Sequence, residues 1–286
     1  MKTKFFKSLL AIACLLSSTN VSAQKDFFMV DSIYYMPNSE SSCTIFGHDP
    51  KHPDREDRKK YKGDLHIPDT VVYKNKKYAV TVIGLQAFQH TNFTSVTIPN
   101  TITEIGEYSF NGCKSLTNVV IPNSVTTIKE HAFTDCTSLT NITIPNSVTE
   151  IGWMAFLGCT SLTNVVIPNS VTVIESYAFQ DCIGLTNMTI PNSVEKIGDD
   201  VFRNCSGLTN VTIGKSVEKI GMSPFKNCTA LSTLYLLNPT PPMLDYDLGN
   251  NLSENLTIFV PQSALAAYKQ DLRWKNFQNL QGFDPK

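Results

Sequence analysis

The chain repeats one phrase every 23 residues, and that period limits what it can fold into more than any other feature. The phrase is clearest as Ile144-Pro145-Asn146-Ser147-Val148-Thr149-Glu150-Ile151, followed by Ala155-Phe156, Cys159 and Leu162. Ile98, Ile121, Ile144, Ile167 and Ile190 mark the beat, which continues at Ile213 and Leu236. The phenylalanines keep the same step at Phe110, Phe133, Phe156, Phe179, Phe202 and Phe225, with Phe88 one residue out of step. The cysteines follow at Cys113, Cys136, Cys159, Cys182, Cys205 and Cys228. A fixed period of this length predicts a solenoid, in which like units stack along one axis.

Within one repeat, Leu116, Val119 and Ile121 fit the strand portion LxxLxL, with Val119 and Ile121 on one face. Pro122 has no amide donor, so it closes the strand and turns the chain. Val125 and Ile128 supply a second inward pair on a short extended segment. Ala132, Phe133 and Cys136 follow at helical spacing, which predicts about one turn of 3₁₀ or α-helix. A single coil cannot bury such a face. Stacking sets each inward residue on its equivalent about 4.8 Å away and builds parallel sheets with ladders of like side chains.

The phrase IPNSVTEIGWMAFLGCTSLTNVVIP, repeated with small changes from about residue 65 to 237, resembles the BspA-type leucine-rich repeat of bacterial surface proteins, over roughly three fifths of the chain. The resemblance implies a right-handed solenoid, mainly β with short 3₁₀ or α turns, closed by N- and C-terminal caps. It also implies export and a role in binding proteins or cell surfaces, some members resembling adhesins for host matrix proteins. It brings no catalytic residues.

The flanks read as follows. Lys2, Lys4 and Lys7, the apolar run Leu9 to Leu16, and Val21-Ser22-Ala23 make residues 1–23 a secretory signal peptide. Cys14 sits in a loose lipoprotein box, but Ala11 departs from it and Leu15-Leu16 carry the apolar run past it. Cleavage after Ala23 moves the formal charge from −1 to −4, which does not suggest nucleic acid as a partner, and the apolar run is too short to leave a transmembrane helix in the mature chain. Residues 24–64 fall outside the period and suit an N-terminal β cap. The charged stretch His48 to Lys62 brings His48, Asp49, His52 and Asp54 together, and a solvated loop explains it better than a metal site. Val71 to Tyr73 and Tyr78 to Val82 read as a hairpin. Asp31-Ser32-Ile33 and Asp69-Thr70-Val71 resemble bacterial O-glycosylation acceptors. Residues 65–237 hold the repeats, and residues 238–286 read as a C-terminal cap. In that cap Thr257 to Pro261 form a strand, Ser263 caps a helix over Ala264 to Asp271, and Trp274, Phe277 and Leu280 cover the last coil.

An exported chain permits disulfides, but cysteines at one repeat position stack with parallel Cβ vectors, so a reduced ladder is expected. His48, His52, His66, His90 and His131 fall in no metalloprotease or nucleotide motif, and there is no nucleophile elbow. The chain therefore reads as a non-enzyme without a cofactor. The alternative is a periplasmic or secreted enzyme, or an accessory to one, with a site formed across coils.

Binding has to use the positions that vary. Asn118, Asn141, Asn164, Asn187 and Asn210 form a row that is either a polar platform or, as the simpler reading, a structural amide ladder. Around the phenylalanines, Trp153, Met154, Leu157 and Tyr177 replace charged residues such as Glu107, Glu130, Asp199 and Lys226. Ile183 replaces Thr137 and Thr160, and Val173 replaces Glu150 and Lys196. With Tyr108 and His131 leading up to them, these make a candidate contact patch for a protein or surface glycan. The competing reading folds Trp153 and Leu157 over the edge of the coil. The expectation is a monomeric, exported binding solenoid.

Overall fold

The computed structural model describes residues 27–47 and 61–284. The expected leader, Cys14 and the charged segment His48 to Lys60 lie outside the described residues. The chain winds into a β-solenoid of about nine turns with coils of about 23 residues and very little helix.

Each repeat supplies two short strands. One follows the leucine of LxxLxL, as in Asn141–Thr143, and the other follows the proline turn, as in Glu150–Ile151. The proline carbonyls close that turn, Val125 N–H donating to Pro122 at 3.0 Å and Val148 N–H to Pro145 at 3.1 Å. Strands of the second kind pair in parallel at 23-residue offsets, Ile128 beside Ile151 and Ile151 beside Ile174. They form one sheet that runs from the N-terminal strands to Met243–Leu244. Strands of the first kind form two sheets, one ending at Asn164–Val166 and the next starting at Asn187–Ile190.

The inward positions are buried as the period requires, including Leu116, Val119, Ile121, Val125, Ile128, Ala132, Phe133 and Cys136. The phenylalanines stack face to face along the axis, with ring centroids 5.1 Å apart for Phe110 and Phe133 and 5.3 Å for Phe156 and Phe179. Phe88 joins the column at 5.5 Å, its ring tilted by 24°.

The third side of the coil differs from expectation. The helical turn anticipated at Ala132 to Cys136 is a run of separate i+3 turns, Thr134 N–H to His131 O at 3.2 Å and Cys136 N–H to Phe133 O at 3.3 Å. Two residues in it have positive φ, His131 at 55° and Asp135 at 57°. A 3₁₀ helix would keep φ negative and spend its amides inside the coil. Here alternate amides point along the axis instead. His131 donates to Trp153 O at 2.9 Å, Phe133 to Ala155 O at 2.8 Å and Asp135 to Leu157 O at 2.7 Å.

The described cysteines are free and buried. Each repeat thiol donates to the phenylalanine carbonyl of the preceding coil, Cys136 to Phe110 at 3.2 Å, Cys159 to Phe133 at 3.2 Å and Cys228 to Phe202 at 3.0 Å. Thr91 stands at the cysteine position of the first coil and bonds Phe88 O at 2.6 Å.

At the N-terminal end, Phe28–Val30, Ile33–Pro37 and Ser42–Phe46 are antiparallel neighbours, and Thr70–Tyr73 forms a hairpin with Lys76–Ile83. Lys74 and Asn75 turn that hairpin at φ of 50° and 60°, as a tight two-residue turn requires. Asp31 and Ser32 form an exposed turn, whereas Thr70 is half-buried with its hydroxyl 3.1 Å from Asp69 Oδ1. At the other end, Thr257–Pro261 leads into a 3₁₀ turn at Gln262–Ala264 and a helix at Leu265–Gln270. Ser263 lies inside the 3₁₀ turn and caps nothing. Trp274 is fully buried, its Nε1 donating to Pro242 O at 2.8 Å, and Leu280–Phe283 adds a final parallel strand beside Thr257–Pro261.

Two measurements test this packing. Phe156→Ala leaves a cavity between two stacked rings and should lower the unfolding free energy by about 3 to 5 kcal/mol in urea titration. Burial pushes the Cys159 thiol up to about 12 from an ordinary value near 9, and Cys228 likewise to about 12. The folded chain thus keeps protons that the unfolded chain releases, so this stability is complete below pH about 9 and is lost as pH rises towards about 12. Urea midpoints should fall over that window, and Cys159→Ala should flatten the fall.

Candidate binding surfaces

Two outward surfaces depart from the repeat. The first is the turn edge. Each of these coils has two positive-φ turn residues, and the column of the first runs through Tyr108 at 55°, His131 at 55°, Met154 at 54° and Tyr177 at 62° before reaching Asp200 and Ser223. Bulky side chains in the left-handed region cost roughly 1 kcal/mol or more each. The strain is shared with a continuous ring contact. Tyr108 stacks on His131 at 4.4 Å, His131 meets Trp153 edge to face at 4.7 Å, and Trp153 meets Tyr177 edge to face at 6.2 Å. Trp153 stands one residue earlier in its coil than its three ring neighbours, beside Met154 at the positive-φ position. Each of the four rings is half-buried.

Hydrogen bonds hold the middle of this ladder. His131 Nδ1 lies 3.1 Å from Thr134 Oγ1, which donates to Met154 O at 2.7 Å. Burial, then Glu130 and Glu107, raises the Tyr108 hydroxyl above its ordinary range, so the ring stays neutral. Of the other predicted patch residues, Met154 and Leu157 lie half-buried in the same turn. Ile183 is 49% exposed after the Cys182 corner, and Val173 sits on the long sheet between Glu150 and Lys196. The structure therefore joins Tyr108, His131, Trp153 and Tyr177 through ring contacts, and places Ile183 and Val173 in other columns of the coil.

The second surface is the strand face. Its outward columns hold the asparagine row and, two residues on, Val120, Thr143, Val166, Thr189 and Thr212. Val120 is 58% exposed and Val166 70%. The expected amide ladder is confined within this row to Asn187 and Asn210, joined at 2.9 Å, while the amides of Asn118, Asn141 and Asn164 are exposed. A longer polar ladder runs elsewhere, down the second positive-φ column. Asn204 donates to Asp181 at 2.6 Å, Asn227 to Asn204 at 2.7 Å and Asn251 to Asn227 at 2.8 Å. Asn and Asp tolerate the left-handed turn there, as Gly112 and Gly158 do in earlier coils.

The sheet is split on this face. Thr140 N–H reaches Thr117 O at 3.0 Å and Thr209 N–H reaches Thr186 O at 2.8 Å, but no backbone bond joins Asn164–Val166 to Asn187–Ile190 among the described residues. A groove of about 420 Å³ lies over the split, bordered by Asn164, Val166, Asn169, Asn187, Thr189 and Asn192. Farther along, the Val120 column ends in aromatic residues. Tyr235 stacks on Phe259 at 4.9 Å, and Phe283 crosses both at 5.2 and 6.4 Å. Following that column past Thr212 in the sequence would have found Tyr235 and Phe259.

Among the described residues no group of three His, Cys, Asp or Glu side chains is placed to hold a metal ion, and no helix is long and apolar enough to cross a membrane. The repeats match the family model described as the BspA type leucine rich repeat region, in six copies over residues 81–206 and 149–257, more than half of the chain. The chain belongs to this family. BspA-type repeats thus supply the coils on which the turn edge and the strand face are built.

The solenoid is similar to several solved structures. A leucine-rich repeat protein from Bacteroides ovatus ATCC 8483 is 22% identical, with 84% of this chain and 80% of that one covered and a TM-score of 0.39. A leucine rich cell surface protein from Faecalibacterium prausnitzii A2-165 is 20% identical, with 93% and 97% covered and a TM-score of 0.42. The T. pallidum leucine rich repeat protein TpLRR is 22% identical, with 93% and 100% covered and a TM-score of 0.49. Comparison with curated proteins gives no match.

The split predicts a local difference in amide protection. In hydrogen exchange, the amides of Thr186 and Met188 should exchange faster than those of Thr140 and Ile142, which occupy the same repeat positions within a continuous ladder. Equal protection would mean that the sheet is closed there in solution.

Proposed function

We propose that this chain is an exported, monomeric binding protein of the cell surface, adhesin-like, that grips a partner protein with its aromatic turn edge. Residues 1–23 serve as the leader, residues 24–64 and 238–286 close the two ends, and the repeats between them carry the contact. The observation that supports the reading most is the ladder Tyr108–His131–Trp153–Tyr177, which crosses four coils with three of its rings at positive-φ positions and Trp153 beside a fourth such position, Met154. The same column accepts Asp200 and Ser223, so the fold does not need rings there. Strain of this kind gathers where a structure serves recognition. Tyr and Trp also give large contact area with few rotatable bonds, which makes them frequent interface anchors.

The rings hold one another, so little side-chain freedom remains to be lost on binding. The four are half-buried, which leaves polar edges and part of each ring for a partner. Met154 and Leu157, in the same turn, widen the apolar area without a charge. Export is supported by the leader composition, and protein recognition by the family.

The test is capture by the purified chain, against extracellular matrix proteins and against a bacterial envelope fraction, beside a Trp153→Ala/Tyr177→Ala variant. A matrix protein held by the parent chain and lost in the variant, with an unchanged circular dichroism melt, is the expected outcome. Equal capture by both chains would remove the turn edge from the binding site, and capture of an envelope component alone would make the protein a scaffold within its own envelope.

A further inference from the structure

The strand face is chemically unlike the turn edge, and it offers something other than a second protein contact. Across the split stand the carboxamides of Asn164, Asn169, Asn187 and Asn192, with Thr189 and the exposed Val166 between them. Two of these amides are partly engaged, Asn187 with Thr186 and Asn210, and Asn192 through the backbone N–H of Lys215 at 3.0 Å. Those of Asn164 and Asn169 make no bond within the chain among the described residues. A carboxamide offers donors and an acceptor side by side, which matches a ligand whose groups are each both donor and acceptor. No carboxylate, ammonium or guanidinium lines the groove. Lys215, one coil beyond Asn192, is the nearest charge in that column.

The face continues without charge from the groove to an aromatic floor. Thr212 pairs in register with Tyr235 and Tyr235 with Phe259, so the ring cluster begins one strand past the groove wall. From Val166 to Phe283 the strip crosses five strand spacings, about 24 Å at the usual separation. Neutral amides at one end and half-buried rings at the other suit a chain that has hydroxyls on its rim and C–H groups on its flat faces. The split has no room for an added peptide strand, because Cα atoms of the two banks come within 8 Å, less than the two strand spacings of about 4.8 Å that an inserted strand needs.

We infer that the strand face from Val166 to Phe283 binds a neutral oligosaccharide. This rests on reading the chain as a binding protein but uses a different face, so either reading can fail alone. The amides of Asn164, Asn169 and Asn187 bond sugar hydroxyls across the split, and Tyr235, Phe259 and Phe283 carry the apolar face of a sugar farther along.

The test is calorimetric titration of the full chain with linear tetramers of glucose, mannose and N-acetylglucosamine, and with tetragalacturonic acid as the charged comparison. At least one neutral tetramer should bind with an affinity that salt leaves unchanged. Phe259→Ala should weaken it about tenfold. Thr189→Arg, at an exposed position that cannot disturb the core, should abolish it, and Trp153→Ala should leave it intact. Failure of every neutral tetramer to bind, preference for the acidic one, or binding indifferent to both Phe259→Ala and Thr189→Arg would overturn the assignment. So would binding lost equally in Trp153→Ala, or capture of an extended neutral peptide with no saccharide bound.

Discussion

Between Phe133 N–H and Ala155 O runs a backbone hydrogen bond of 2.8 Å, and its counterparts join Phe110 to Ala132 and Phe156 to Ala178 at the same length. Flanked by its neighbours at His131 and Asp135, this bond fixes the phase between coils. Alternate amides point along the axis and the ones between them close turns within the coil, so a coil longer by one residue at this point would exchange the two sets and turn its phenylalanine outward. The first full coil shows how the phase is kept. It is a residue short between Phe88 and Phe110, yet Gln86, Phe88 and His90 still donate to Glu107, Ser109 and Asn111 at 2.7 to 2.9 Å. The missing residue is absorbed between Thr91 and Phe93, outside the turn, and the Phe88 ring is tilted by 24° from Phe110.

Burial repeats with the period, so the positions that must be apolar were legible as letters: the phenylalanine column, the cysteine column and the alternating strand pairs. The turn was not. Its first positive-φ column holds Gln86, Tyr108, His131, Met154, Tyr177, Asp200 and Ser223, residue types that share no preference for that backbone region. The stack imposes φ there, so no single side chain announces it, and helical spacing was the natural misreading. The second column, with Gly112, Asp135, Gly158, Asp181, Asn204 and Asn227, did carry the composition that left-handed turns favour. Weighing that column would have replaced the helix with turns and moved the amide ladder to where it stands.

The cysteines make a related point. They were expected to form a reduced ladder, and the described cysteines are free and buried. Each also supplies a second donor to the phenylalanine carbonyl one coil back, which already accepts the amide of the cysteine in its own coil. Alanine would fill most of the space but lose that second bond, and serine would keep the bond while burying a more strongly hydrated group. A thiol is a weak donor that costs little to bury, which accounts for cysteine at each of these coils, whereas Thr91, where the column begins, bonds the Phe88 carbonyl of its own coil.

Because each coil rests only on its neighbours, the inward set is fixed at each step and the outward set is free. Function then has to reside in departures from the repeat, and the departures here fall on two faces with different chemistry. On the turn edge, three rings stand at positive-φ positions, Trp153 stands where earlier coils have Glu107 and Glu130, and the four touch one another across four coils. On the strand face, the side chains change little across the split, LTNVVIP giving way to LTNMTIP, and it is the backbone that parts. Unpaired backbone groups have no side-chain signature, so that feature was invisible to pattern reading even though the amides bordering it were in plain view. The same independence lets one face change without the other: Trp153 stands on the turn edge and Thr189 on the strand face, in different columns of the coil.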